Sequence, residues 1–175
     1  MILNIENIIA QGGFADIFAY NDRVYKLFIS RTNSRCEEQD RGEKENELRR
    51  ITFSSELKAW KIANANEKLN DLIPKFYCQI GIEKVLGAND TDSSTDYLLD
   101  CCLSMERIKA TDVKFDTIRA IFPNIESMFH QAGISYTIDM SAFVINNGSK
   151  IKLIDFATEA AYFNTEMLWI NSGKI

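Results

Sequence analysis

The sequence predicts an α+β protein in two lobes, a β-rich first part built around one main helix and a smaller, more helical second part. Three observations carry this. Residues Ile5 to Phe28 alternate and turn like three short strands of an antiparallel meander. After Ser54 the apolar residues Leu57, Trp60 and Ala63 recur at helical spacing. From Gly133 to Ala157, GISYTIDMSAFVINNGSKIKLIDFA reads as a hairpin flanked by two aspartates, Asp139 before its first strand and Asp155 at the end of its second. The predicted division is residues 1–105 as the first lobe, 106–112 as a hinge and 113–175 as the reduced second lobe, all within one domain.

Composition narrows the functional classes. At 175 residues, 46% hydrophobic and 26% charged, the chain has enough apolar content for one buried core. A formal net charge of -5 points away from nucleic acid or an anionic membrane as the main partner, while leaving room for a small anion. Cys36, Cys78, Cys101 and Cys102 show neither metal-site nor disulfide-framework spacing, so free thiols in a reducing compartment are expected. No stretch reaches the ~18 apolar residues of a membrane span, and the first residues lack the pattern of a cleavable signal peptide. A soluble, cytoplasmic protein without a cleavable secretion signal is expected. With His130 the only histidine, catalysis must draw on carboxylates, lysine or thiols.

Along the chain, Ile8 and Ile9 lead into Gln11, Gly12, Gly13 and Phe14. Asp16 to Tyr20 resumes a strand, Asn21 and Asp22 turn it, and Arg23 to Phe28 forms the next. A glycine pair in a hairpin lets backbone N–H groups approach a phosphate, and an aromatic at the tip can cover a ligand; a plain tight turn gives the same pattern. In VYKLF, Val24, Lys26 and Phe28 share one face by alternation. Lys26 is there either as an edge-strand lysine that discourages aggregation or as a cation reaching toward an anion.

Ser30 to Arg50 carries six acids and six bases, which reads as a solvated insertion or a charged helix start. Ser54 or Ser55 is expected to cap the helix that follows, with Glu56 in its first turn where the helix dipole favours an acid. Ile73 to Gly81 reads as a strand, Lys84 as the start of another, and GANDTDSSTD as a loop before the apolar strand Tyr97 to Met105. Glu106 to Asp112 reads as a polar connection. Helices are expected at Phe115 to Ala120 and at Pro123 to Gln131, the second opened by Pro123 and stopped by Gly133. The last strands are Ala142 to Ile145 and Ile151 to Ile154, with Asn146, Asn147 and Gly148 turning between them, and a short helix is expected around Thr165 to Trp169. Two carboxylates at one end of that hairpin are costly together unless a cation answers them.

In this order the pieces resemble the protein-kinase fold, over about Ile5 to Glu159. IAQGGFADIF resembles the kinase glycine-rich loop, with Ala10 and Ala15 at the first and third glycine positions and Gly12 at the middle one. VYKLF resembles the third-strand lysine segment. The resemblance implies that Lys26 holds the α- and β-phosphates of ATP, that Gly12, Gly13 and Phe14 line them, and that Glu56 pairs with the lysine, with Glu45 and Glu47 as nearby acids. LLDCCLSMERI resembles the fifth strand and hinge, which implies a gatekeeper role for Met105 and adenine contacts at Glu106 and Ile108. Asp139 matches the catalytic-loop aspartate that orients the acceptor hydroxyl, and LIDFA matches the D-F-G segment, which gives Asp155 to Mg²⁺. The chain departs from the pattern where YTID replaces H-R-D, where Val144 stands five residues after Asp139 in place of a metal-binding asparagine, and where Ala157 replaces glycine.

Some 20 residues follow Asp155, too few for an activation segment and the later large-lobe helices. That truncation is similar to the minimal effector kinases of the OspG and NleH type, which bacteria deliver into host cells. The implied function is ATP-dependent phosphotransfer to serine or threonine of a host protein, with Mg²⁺. The implied partners are a protein substrate and an activating protein, which in that family can be ubiquitin-conjugating machinery. The alternative is a pseudokinase, a nucleotide- or protein-binding scaffold with weak or no turnover. A small-molecule kinase of the aminoglycoside phosphotransferase kind needs a larger second lobe, and an ordinary α+β domain is a further alternative.

Overall fold

The computed structural model describes residues 1–36, 42, 44–112, 115–134, 142–146 and 150–156. Asp139, Asn147 and Gly148, Ala157 and the helix expected near Thr165 lie outside them, while Asn146, expected in the hairpin turn, is the last residue of a strand. Among the described residues the architecture is mixed α+β, with a five-stranded antiparallel sheet and two α-helices. Among the described residues no helix is long and apolar enough to cross a membrane. The chain divides into two compact units, Met1–Phe53 with Phe76–Arg107, and Ser54–Lys75 with Ile108–Ile175.

In the first unit, β2 (Ile8–Gln11), β3 (Ala15–Tyr20) and β4 (Arg23–Ile29) form the predicted meander. The sheet is completed by β7 (Tyr97–Glu106) and β5 (Phe76–Ile80), in the order β2-β3-β4-β7-β5. Asn21 sits at φ 55°, the left-handed conformation that asparagine tolerates and the β3–β4 turn requires. An unanticipated short strand, β1 (Ile2–Asn4), pairs in parallel with β6 (Lys84–Leu86). Three residues are too few for alternation to register.

Strand pairing assigns the two faces of the large sheet. Tyr25, Leu27 and Ile29 join Leu3, Phe18, Val85, Tyr97 and Cys102 in one buried apolar cluster. The other face carries Val24, Lys26 and Phe28, because β4 alternates. Directly opposite residues share a face, so Ala15, Ile17 and Ala19 of β3 and Leu103 and Met105 of β7 lie beside them.

Helix α1 (Glu45–Ala65) begins nine residues before the expected serine cap, inside the charged stretch. Glu45 and Glu47 occupy its first turn, where the dipole favours them. Its buried positions, Arg49, Thr52, Phe53, Glu56, Ala59, Trp60 and Ala63, recur every three or four residues. The stripe includes an arginine, a threonine and a glutamate, and so an apolar search starts it too late. Phe53 packs edge-on against Phe28 of β4, with ring centroids 5.4 Å apart.

In the second unit, β8 (Ala110–Asp112), β9 (Phe143–Asn146) and β10 (Lys150–Leu153) form an antiparallel sheet in the order β10-β9-β8. The predicted hairpin is present, with Lys150 opposite Asn146. The expected polar connection after Glu106 instead contributes β8, which pairs with β9 from Ala110↔Asn146 to Asp112↔Val144. The two helices expected around Pro123 are one, α2 (Phe115–Gln131), with the proline inside it. Ile118, Ile125 and Phe129 are buried while Pro123 is exposed, so the interruption falls on the solvent side, where water can satisfy the orphaned carbonyl. Gly133, at φ +87°, ends the helix as expected. The N–H groups of Gly133 and Ile134 donate back to the carbonyls of His130 and Phe129, closing a Schellman cap.

Pro123→Ala restores an N–H donor and removes the ring's clash with the preceding turn. It is expected to stabilise the chain by about 1–3 kcal/mol, read as a higher urea midpoint with an unchanged m-value.

Candidate functional site

The first unit contains the glycine turn, Lys26 and Met105. Lys26 is 5% exposed at the centre of β4, opposite Ile17 on β3 and Leu103 on β7. Its Nζ lies 5.7 Å from the centroid of the Phe28 ring. An ammonium taken this far out of water on an apolar face is costly unless negative charge answers it. The position is therefore that of a functional or ion-paired lysine and differs from the edge-strand lysine allowed by the sequence, since β4 lies in the middle of its sheet. Met105, buried on the same face, pairs with Val24 and Phe76. Glu106 is the Cα partner of Arg23 and is half-buried.

The glycine turn joins β2 to β3. Gly12 N–H donates to Ala15 O at 2.9 Å, and Phe14 O accepts from Ile29 N–H at 2.9 Å, which ties the turn to the end of β4. Two arginines reach its carbonyls. Arg35 Nη1 donates to Gly12 O at 3.3 Å and Arg49 Nη1 to Gly13 O at 3.0 Å. The Arg49 guanidinium also lies 5.2 Å from the Phe14 ring centroid, so the aromatic at the tip stacks on a cation.

Each arginine has its own carboxylate. Arg49 pairs with Glu45 one helical turn earlier, Nε to Oε1 2.8 Å. Arg35 pairs with Asp16 at 2.5 Å. Asp16 is 0% exposed and accepts a second hydrogen bond from Tyr97 Oη at 2.8 Å. Burial, and then the Asp16 carboxylate, push the Tyr97 hydroxyl well above its ordinary range, which keeps it a donor. Burial likewise pushes the Cys101 thiol up to about 12 and raises that of Cys102. None of the four cysteines is in a disulfide, and Cys78 alone is exposed.

The second unit contains Glu56, Ile108 and Asp155. Glu56 is 1% exposed and accepts from Trp60 Nε1 at 3.0 Å, one turn along α1. Trp60 meets Phe156 edge-on at 4.8 Å, and Phe156 meets Phe129 of α2 at 5.5 Å. Asp155 is thus held between a fully buried aromatic anchor and the end of a hairpin prolonged by the Ile154 N–H to Ala142 O bond. Lys152, mostly buried, donates to Ile73 O at 2.6 Å and Asn70 O at 3.2 Å, fastening β10 to the segment after α1. Ile108 is half-buried.

Val144 is buried on the central strand of its sheet, opposite Lys152 and Asp112. A β-branched side chain suits that place, and it offers no ligand atom. Among the described residues no group of three or more His, Cys, Asp or Glu side chains is arranged to hold a metal ion by itself. Arg35, Arg49, Asp16 and Tyr97 escape the sequence reading because Arg35 and Arg49 fall in the charged stretch and Asp16 reads as a strand residue. The usable signal was the spacing of Arg49, Phe53, Glu56 and Trp60, which puts the arginine on the buried face of α1. No protein-family model matches this chain, and no curated protein matches it either.

The Tyr97 shift fixes the sign of a pH effect. Above the ordinary value of 10 the unfolded chain loses the phenolic proton and the folded chain keeps it. The folded state then binds more protons, so stability falls as pH rises. Tyr97→Phe is expected to flatten that alkaline decline relative to wild type, measured by urea denaturation at a series of pH values above 9.

Proposed function

We propose that this chain is an ATP-dependent phosphotransferase with a minimal kinase-like fold, acting on serine or threonine of a protein and, as an effector, on a host protein. The observation that carries the reading is the buried Lys26, a cation on an apolar face of Ile17, Val24, Leu103 and Met105, in a sheet whose glycine turn ties to the same strand. Such a face suits a flat apolar base, and a lysine at its centre can share its charge with a nucleotide phosphate.

In this reading Lys26 holds the α- and β-phosphates, Gly12, Gly13 and Phe14 meet them through the backbone, and Glu56 keeps the role that the kinase resemblance gives it. Met105 limits the depth of the base, and Glu106 and Ile108 border it. Asp139 orients the acceptor hydroxyl. Asp155 fits Mg²⁺, because a partly exposed carboxylate on a rigid anchor is the hard oxygen ligand that this ion takes alongside substrate phosphates. The bound ion supplies charge neutralisation on the phosphates. Positioning and electrostatics then carry the rate, and an activating protein partner is the proposed switch.

One observation favours a second reading, a nucleotide-binding scaffold without turnover: Val144 is committed to sheet packing and has no donor atom. The two readings separate in one experiment. ADP release is measured for wild type, Lys26→Met and Asp155→Ala with MgATP, with and without a protein acceptor mixture. Phosphotransfer predicts a fall of about a hundredfold or more in both variants; equal rates in all three would sink it. A rise in wild-type melting temperature with MgATP but no turnover above background establishes the scaffold.

A further inference from the structure

The carbonyls of the glycine turn are both taken by guanidinium groups, Gly12 O by Arg35 and Gly13 O by Arg49. A trans peptide points its C=O and the following N–H in opposite directions. The Gly13 N–H is therefore turned away from Arg35, and the Phe14 N–H away from Arg49. Among the described residues neither N–H donates a hydrogen bond. A Cβ built on Gly13 meets nothing within 4 Å, so the space beside it is open.

The arginines themselves are anchored. Asp16, out of water and also held by Tyr97 of β7, fixes Arg35, while Glu45 and the Phe14 ring fix Arg49. Because Asp16 and Glu45 already balance these charges, the guanidinium groups serve here as hydrogen-bond donors with a set direction.

We infer that Arg35 and Arg49 are positioning residues, which pin two consecutive peptide planes so that the N–H groups of Gly13 and Phe14 are set in advance to receive oxygens of a polyphosphate. The inference rests on the nucleotide reading for the identity of the ligand, and the polyphosphate chemistry can be probed without the base. Glycine at position 13 leaves the turn freedom to adopt other conformations, and the two arginines remove it.

The test is calorimetric titration of the full chain with ATP, adenosine and inorganic tripolyphosphate, comparing wild type with Arg35→Gln, Arg49→Leu and Arg49→Lys. Loss of either tether is expected to weaken ATP and tripolyphosphate by about five- to tenfold, leave adenosine unchanged and speed amide exchange at Gly12. Arg49→Lys, which can still donate to Gly13 O and pair with Glu45, is expected to recover part of the affinity. Unchanged tripolyphosphate affinity in folded variants overturns the inference, as does an equal loss for adenosine, which marks a merely structural role. If Arg49→Leu or Arg35→Gln does not fold, Arg49→Lys decides, since it keeps a cation opposite Glu45 and loses only the directed guanidinium fork. Wild type that binds tripolyphosphate but neither ATP nor adenosine overturns the nucleotide reading and keeps this one; binding of none of the three overturns both.

Discussion

The Asp16 carboxylate, fully out of water, takes one hydrogen bond from Tyr97 and an ion pair from Arg35. A charge so placed must keep both partners, because breaking a buried pair leaves the survivor uncompensated at a cost of about 3–5 kcal/mol. That requirement couples β3 to β7, which are not neighbours in the sheet, and orders the segment after β4 that carries Arg35. The glycine turn inherits its conformation from the same bonds. The geometry of the candidate phosphate site in the first unit therefore follows from an electrostatic constraint set within its own sheet.

The second unit has buried polar groups of its own. Glu56 is buried on α1 with the Trp60 indole as donor, and the tryptophan's other contacts are aromatic, through Phe156 to Phe129. Lys152 donates to two backbone carbonyls, Asn70 O and Ile73 O, which join β10 to the segment after α1. Edge-on aromatic pairs contribute about 0.5–1.5 kcal/mol each beyond the area they bury, and they fix direction as well as distance. Asp155 is thereby tied to the packing of α1 and α2 through its neighbour in sequence.

How much of this could be read from the residues depended on whether local chemistry decided the outcome. The β2–β3–β4 meander, β7, the last hairpin and the Gly133 stop were legible because alternation, turn residues and a glycine in a left-handed conformation are local signals. The start of α1 was not, since its buried face opens on Arg49 and Thr52, and polar residues on a buried stripe look solvated until their partners are known. Pro123 misled for a related reason: on the exposed side of α2 the packing of Ile118, Ile125 and Phe129 outweighs the loss of one helical bond. β8 has no signal of its own, and it exists because β9 offers it an edge. Lys26 and Asp155 could be picked out as candidates, whereas the arginines behind the glycine turn could be recognised only through their carbonyl partners.

Val144 sits where strand packing decides the residue type. As a β-branched residue on a central strand it contributes packing to the sheet that precedes Asp155. An asparagine there would bring a ligand atom together with a buried amide, at a cost of about 1–3 kcal/mol unless a partner met it. The pairing of β9 with its neighbours thus favours an apolar residue at this position, and a polar side chain placed there must bring its own partner or cost the sheet stability.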